Sequence, residues 1–236
     1  MWDRLFPVAD TYVYRSHAYV SMKSTLNQMS GDLIDFRKSP MGEADARLVA
    51  AARLVRPMSF DGMQMIRVGG PGDGGYVMVD DFEVSGAVSI GVGNDVSWDV
   101  GMAERGIPVA MFDHTVRRPP STVPHGQFFR QGVGAVSGTR LHPLADLVTM
   151  AGYSEDQELI LKIDVEGAEW EALAKIDSAY LSRFRQILIE LHGLRGLAEA
   201  ARGAGILTVL TALASNHAPV HVHANNYDDI VRFNDL

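Results

Sequence analysis

The chain has no cysteine at all. That excludes disulfides and thiolate–zinc sites and suits a reducing compartment. It also lacks any apolar run of membrane-span length, and its opening, MWDRLFPVADTYVYRSH, has no apolar leader core. A cytoplasmic location without membrane attachment is the expectation. Basic charge is scarce too. Lys and Arg number 21 against 29 Asp and Glu, for a net charge of −8, and Arg117 with Arg118 is the only adjacent arginine pair. A nucleic-acid groove or an anionic lipid surface calls for a basic face, so neither is expected as a partner. Repeats and low-complexity tracts are absent.

Apolar residues, by contrast, make up 47% of the 236 positions, with 23 glycines in the chain besides. That is enough core for one α/β domain with an N-terminal elaboration. From Gly86 onward, strands are expected at 86–91, 108–113, 126–131, 159–164 and 186–191, with helices near 95–105, 142–152, 167–178 and 195–204. Strands recurring every twenty to thirty residues with helices between them imply βαβ units and a parallel sheet. Residues 219–223 suggest a further strand, while 208–214 fit either state. The first 60 residues read as partly helical. Residues 44–55 (ADARLVAAARLV), ended by Pro57, are the clearest helix, and 12–29 form a weaker one.

Chemistry concentrates in residues 159–173, LILKIDVEGAEWEAL. A buried strand runs into Asp164, the chain turns at Glu166 and Gly167, and a helix follows whose dipole is complemented by Glu166, Glu169 and Glu171. Residues just past a strand's C-terminal end line the ligand crevice of an open α/β sheet, so a carboxylate there is either functional or a cap. A second constellation begins with AVSIGVG (87–93), a strand opening into Gly91-Val92-Gly93, then Asn94 and Asp95. Asp113 ends the next strand and is placed to accept from the hydroxyls of a ribose. This combination serves dinucleotide enzymes and methyltransferases alike. A dinucleotide turn wants a third glycine where Val96 stands. The G-x-G-x-x-G spelling at Gly70, Gly72 and Gly75 precedes a strand, not a helix, and is not expected to cradle phosphate.

These stretches, together with RVGGPGDGGYVM (67–78), SIGVGNDVSWD (89–99), QILIELH (186–192) and HVHANNY (221–227), resemble the FkbM family of S-adenosylmethionine-dependent methyltransferases. They look closest to the branch that includes animal methyltransferase-like proteins. The resemblance covers about residues 67–227. It implies a doubly wound, mostly parallel, Rossmann-like sheet over residues 66–236, with residues 1–65 as an N-terminal helical extension or cap. A methyltransferase sheet normally finishes with an antiparallel strand; the chain ends at Leu236, so that strand is expected to be shortened or absent.

The resemblance also implies roles. Gly91 and Gly93, with Asn94 and Asp95 nearby, would cradle the methionine end of S-adenosyl-L-methionine. Asp113 would hold the ribose, with His114 beside it, and Gly132 and Val133 would flank the adenine. Asp73 and Tyr76 would close over the cofactor, and Asp164 would lie near the methyl group. For the chemistry, Asp164, Glu190, His192 and His223 are the candidates. His192 is the preferred base because imidazole titrates near neutral pH. Lys162 and Glu190 are expected to pair as buried ions. An Asn/Asp-Pro-Pro-aromatic sequence, suited to amino acceptors, is absent, which favours a hydroxyl of a sugar, glycan or natural product. The ligand types at Asp164, Glu190, His192 and His223 also suit a divalent ion, but nothing in the spacing requires one and no metal is assigned. A cofactor-binding domain without catalysis and an NAD-dependent oxidoreductase are the alternatives.

Overall fold

The computed structural model describes residues 19–25 and 42–224. The elements are, in order, β1 (Tyr19–Thr25), α1 (Glu43–Leu54), β2 (Met65–Val68), β3 (Tyr76–Val79), β4 (Gly86–Ile90), α2 (Ser97–Ala103), β5 (Val109–Phe112) and β6 (Gly126–Phe129). They continue as β7 (Gly132–Val133), β8 (Leu141–His142), α3 (Leu144–Met150), β9 (Leu159–Ile163), α4 (Glu169–Leu173), α5 (Ser178–Leu181) and β10 (Phe184–His192). A 3₁₀ turn (Leu194–Ala198), α6 (Ala200–Ala214) and β11 (Ala218–Ala224) complete the chain as described.

Seven strands form one sheet in the order β11-β1-β10-β9-β4-β5-β6, and every pairing in it is parallel. The apolar runs explain why. β4, β5 and β9 are buried at every residue, which requires layers on both faces. Alternate side chains feed two separate cores. Leu159, Leu161, Ile163, Ile187 and Ile189 pack with α3, α4 and α6 on one face. Ile160, Leu188, Ala87 and Met111 pack with α2 and the β2–β3 hairpin on the other. The polar residues Ser89, Lys162, Gln186 and Glu190 fall on this second face by the same alternation, and all four are buried.

From β4 the sheet grows outward through β5 and β6, whereas from β9 it grows the opposite way through β10. β4 and β9 are neighbours, so the chain reverses its winding between them. The region beyond their C-terminal ends is the usual ligand position in open α/β sheets.

One expectation about the N-terminal end is corrected. Part of the stretch read as a weak helix at 12–29 is strand β1, which sits between β10 and β11; the 1–65 segment therefore contributes to the sheet instead of forming a purely helical cap. Tyr-Val-Ser-Met-Lys-Ser-Thr is mixed and short, and only its parallel pairing with β10 and β11 makes it a strand. The position beside β10 is thus taken by β1, and no antiparallel strand joins this sheet among the described residues. Residues 208–214 belong to α6. No helix among the described residues is long and apolar enough to cross a membrane.

Candidate functional site

The turn after β4 comes first. Gly91 takes φ +85°, and a Cβ there would collide with the carbonyl oxygen of Asp164. A glycine is required because the β4 and β9 loops touch at this point. Asp113, at the tip of β5, holds the turn. One of its oxygens accepts from the backbone N–H of Val92 (3.0 Å) and Gly93 (2.9 Å). The other accepts from the Thr115 N–H (2.7 Å), the Thr115 hydroxyl (2.6 Å) and the Val116 N–H (3.4 Å). Burial would raise its pKa, but the bonds from Gly93, Thr115 and Val116 outweigh burial and lower it. Five donors use the acceptor capacity of a carboxylate. Asp113 is therefore a clamp on the glycine turn, with little left for a ribose.

The DGGY element forms the β2–β3 hairpin loop. Arg67 donates to the carbonyls of Gly70 (3.0 Å) and Gly72 (2.6 Å), and Ser97 bridges the Gly70 N–H and the Gly74 carbonyl. The G-x-G-x-x-G spelling thus lies between two antiparallel strands, not at the head of a helix. Asp73 is exposed at its tip. Tyr76, three residues on, is 4% exposed, and its hydroxyl donates to Asp164 Oδ2 at 3.0 Å. Burial and the Asp164 and Glu190 charges push the Tyr76 pKa well above its ordinary value, so it remains a donor.

Around Asp164 the chemistry gathers. His192 ends β10, with Nε2 lying 3.9 Å from Asp164 Oδ1, 3.8 Å from Glu190 Oε1 and 3.4 Å from Glu166 Oε2. Its Nδ1 is 3.3 Å from Glu169 Oε1, off the hydrogen-bonding direction, and finds no partner. Glu169 is fully buried because it caps two backbone N–H groups, those of Gly167 (2.9 Å) and His192 (2.8 Å). Trp170 donates from its indole to the His192 carbonyl at 2.7 Å. The first turn of α4 therefore grips the end of β10. This positioning by Glu169 and Trp170 escapes a reading of the acidic residues as dipole complements alone.

One expected role changes. Burial lowers the pKa of His192, but Glu169, Glu190 and Asp164 together raise it to about 9. His192 carries a proton at neutral pH and is not a ready base there. The expected Lys162–Glu190 ion pair is replaced as well. Lys162 Nζ donates to the Gly91 carbonyl at 3.0 Å and lies 5.3 Å from the centre of the Tyr76 ring. Behind the turn, Asp99 is fully buried with neither oxygen hydrogen-bonded, facing the equally buried Ser89. Burial raises its pKa against the pull of Lys162 and Ser89.

The remaining candidates lie apart. His223 is exposed on β11, two strands from β10, and stacks near His221 (6.2 Å). Gly132 and Val133 form a small sheet with β8, and His114 sits against Gly132. A cavity of about 590 Å³ lies between the hairpin loop and α2. It includes Asn94 and Asp95 but none of the Asp164–His192 cluster. The titratable groups locate the chemistry more reliably than volume does, because only they can move a proton or hold charge. Set against protein-family models, curated proteins and solved structures, the chain matches none.

Proposed function

We infer that the protein is an S-adenosyl-L-methionine-dependent O-methyltransferase of the class I Rossmann-like fold, acting on a hydroxyl of a small-molecule or glycan acceptor. One observation carries this reading. A glycine turn and a cluster of Tyr76, Asp164, Glu190 and His192 meet at the winding reversal between β4 and β9.

The residues of the turn fit the cofactor. Nothing stands within 4 Å of where a Gly93 Cβ would be, and Gly93, Asn94 and Asp95 are exposed beside it. Gly91, Gly93 and Asn94 would hold the methionine end, while Asp113 acts by fixing the turn. When bound, S-adenosyl-L-methionine supplies an electrophilic methyl group on a sulfonium. The chain's part is to orient the acceptor and receive its proton. Asp164 suits that part, because Tyr76 pins its Oδ2 while Oδ1 faces His192 and the solvent side. In the absence of a bound cation, the protonated His192 offsets the surrounding carboxylates and keeps the acceptor region from repelling an oxygen that is losing its proton.

Calorimetric titration with S-adenosylhomocysteine and, separately, NADH tests the reading. The expected result is binding of S-adenosylhomocysteine alone, lost in Asp113→Ala because the turn is no longer clamped. Binding of NADH in its place would overturn methyl transfer in favour of redox chemistry, and binding of neither would remove the cofactor altogether.

A further inference from the structure

We propose that Asp164, Glu190 and His192 form a site for a divalent first-row cation, beside the glycine turn and open on the side of Glu166. The acceptor atoms of these three residues lie within 4.8 Å of one another. Metal–ligand bonds of about 2.0–2.3 Å place ligand atoms at most about 4.6 Å apart across an ion, so the cluster needs only a small contraction to bind.

The contacts within the cluster suit a shared ion better than hydrogen bonds between the residues. The three oxygens facing Nε2 stand at 3.4–3.9 Å, beyond the roughly 2.7–3.2 Å range of an N–H···O bond. His192 is only 7% exposed, and no oxygen facing Nε2 is close enough to hydrogen-bond to it.

The rear of the ring is prepared for metal binding. Glu169 faces Nδ1 at 3.3 Å and is itself fixed by the Gly167 and His192 N–H groups. A small turn of the ring would bring the Nδ1–H onto that carboxylate and fix the neutral tautomer that presents Nε2 to a metal, with the Nε2 proton released as the ion binds. Lys162, the nearest cation on β9, is committed to the Gly91 carbonyl. Glu190 is also in register with Lys23 of β1, and the site requires only one of its two oxygens. Two carboxylates and an imidazole favour Mn²⁺ or Zn²⁺ over Ca²⁺.

Glu166, with its side chain 85% exposed, marks the solvent side, where further coordination positions would face an acceptor. The class of acceptor follows: one offering two neighbouring oxygens, such as a vicinal diol or an α-hydroxycarboxylate. This role rests on the methyl-transfer reading; the cation site does not.

The test is titration of the chelator-treated full chain with Mn²⁺, following the free-ion electron paramagnetic resonance signal, with and without S-adenosylhomocysteine. One Mn²⁺ per chain is expected. His192→Ala should abolish saturable binding, and Glu169→Gln should weaken it about 10–100-fold. Asp156→Asn, far along the surface, should leave it unchanged. Thermal melts guard against misfolding: Mn²⁺ should raise the melting temperature of the parent chain but not of folded His192→Ala. Absence of saturable Mn²⁺ binding, or equal binding by His192→Ala and Glu190→Gln, overturns the site. S-adenosylhomocysteine binding without Mn²⁺ binding would do so while leaving methyl transfer standing. Mn²⁺ binding without S-adenosylhomocysteine would support the site and remove the role given to its acceptor.

Discussion

Strand β10 carries a base among several acids at each end, and the two ends are built differently. At the start, Arg185 meets Asp81 at 2.8 Å, Glu158 at 2.7 Å and Glu83 at 3.6 Å, with the first two hydrogen-bonded. Next to it the Gln186 amide accepts the Val79 N–H and donates to the carbonyls of Val79 and Asp81. That end ties the hairpin to the sheet with a permanent cation. At the other end, His192 lies 3.3–3.9 Å from four carboxylates and hydrogen-bonds to none through its ring. A guanidinium with short contacts is a fastening. A titratable ring with long contacts, at the end of the sheet where ligands bind, is built to exchange partners.

The comparison would break first on activity. Asp164→Asn should cut methyl transfer to any accepted hydroxyl by about 10²–10⁴-fold, the usual range for losing a positioned proton acceptor. Asp81→Asn, at the fastening end, should leave that rate unchanged. Equal losses in steady-state assays would show that both ends act only through stability.

Arg185→Met should reverse the pattern. It strands a half-buried Asp81 and is expected to cost about 2–3 kcal/mol in urea unfolding, less than a fully buried pair because Glu158 and Glu83 are exposed. Binding of S-adenosylhomocysteine to the folded variant should not change. A cost below about 0.5 kcal/mol would mean that the fastening contributes little.

The sheet was more legible in the sequence than either end of β10 was. β4, β5, β9 and β10 appear as apolar runs, and the structure places each within about two residues of its expected bounds because two-sided burial leaves little choice of residue; the edge strand β6 (GQFF) is only partly buried. Alternation alone puts Glu190 and His192 on one face, as it does Lys162 and Asp164. Register does not follow from the residues of either strand. Lys162 stands opposite Leu188, so Glu190 lies farther along and Lys162 turns to Gly91 instead. The Tyr76–Asp164 bond joins positions 88 residues apart, and no local pattern announces it. β1 is polar and mixed, and it becomes a strand only by pairing with β10 and β11.

Alkaline pH should loosen one end alone. The folded pKa of His192, about 9, is above its ordinary value near 6.5. A raised value means the stabilising proton is fully in place below about pH 6.5 and is lost as pH rises through 9. Between those limits the chelator-treated protein should lose on the order of 1–2 kcal/mol, since Glu166 opens one side of the cluster to solvent screening. Arg185 stays charged throughout. His192→Gln should flatten the profile, and an unchanged slope in that variant would assign the loss to other groups.

The smallest effect tests how Glu166 reaches the site. Its φ is +54°, in the left-handed region where a side chain is disfavoured by about 1–2 kcal/mol. Gly167 follows at φ +103°, so the turn between β9 and α4 has positive φ at both positions. This conformation brings the Glu166 carboxylate to 3.4 Å from His192 Nε2, and strain of this kind gathers at functional sites. Glycine at 166 would relieve the strain but loosen the unfolded chain, so Glu166→Gly should change stability by less than about 1 kcal/mol. Glu166→Ala keeps the strain and removes the same carboxylate, so it should be the less stable of the two while affecting Mn²⁺ binding equally. Should the two variants melt together, the backbone at 166 is unstrained and the position of Glu166 owes nothing to function. If glycine stabilises the fold and weakens the ion site, the chain retains a costly residue at the ligand end of β10, as a site, unlike a fastening, can require.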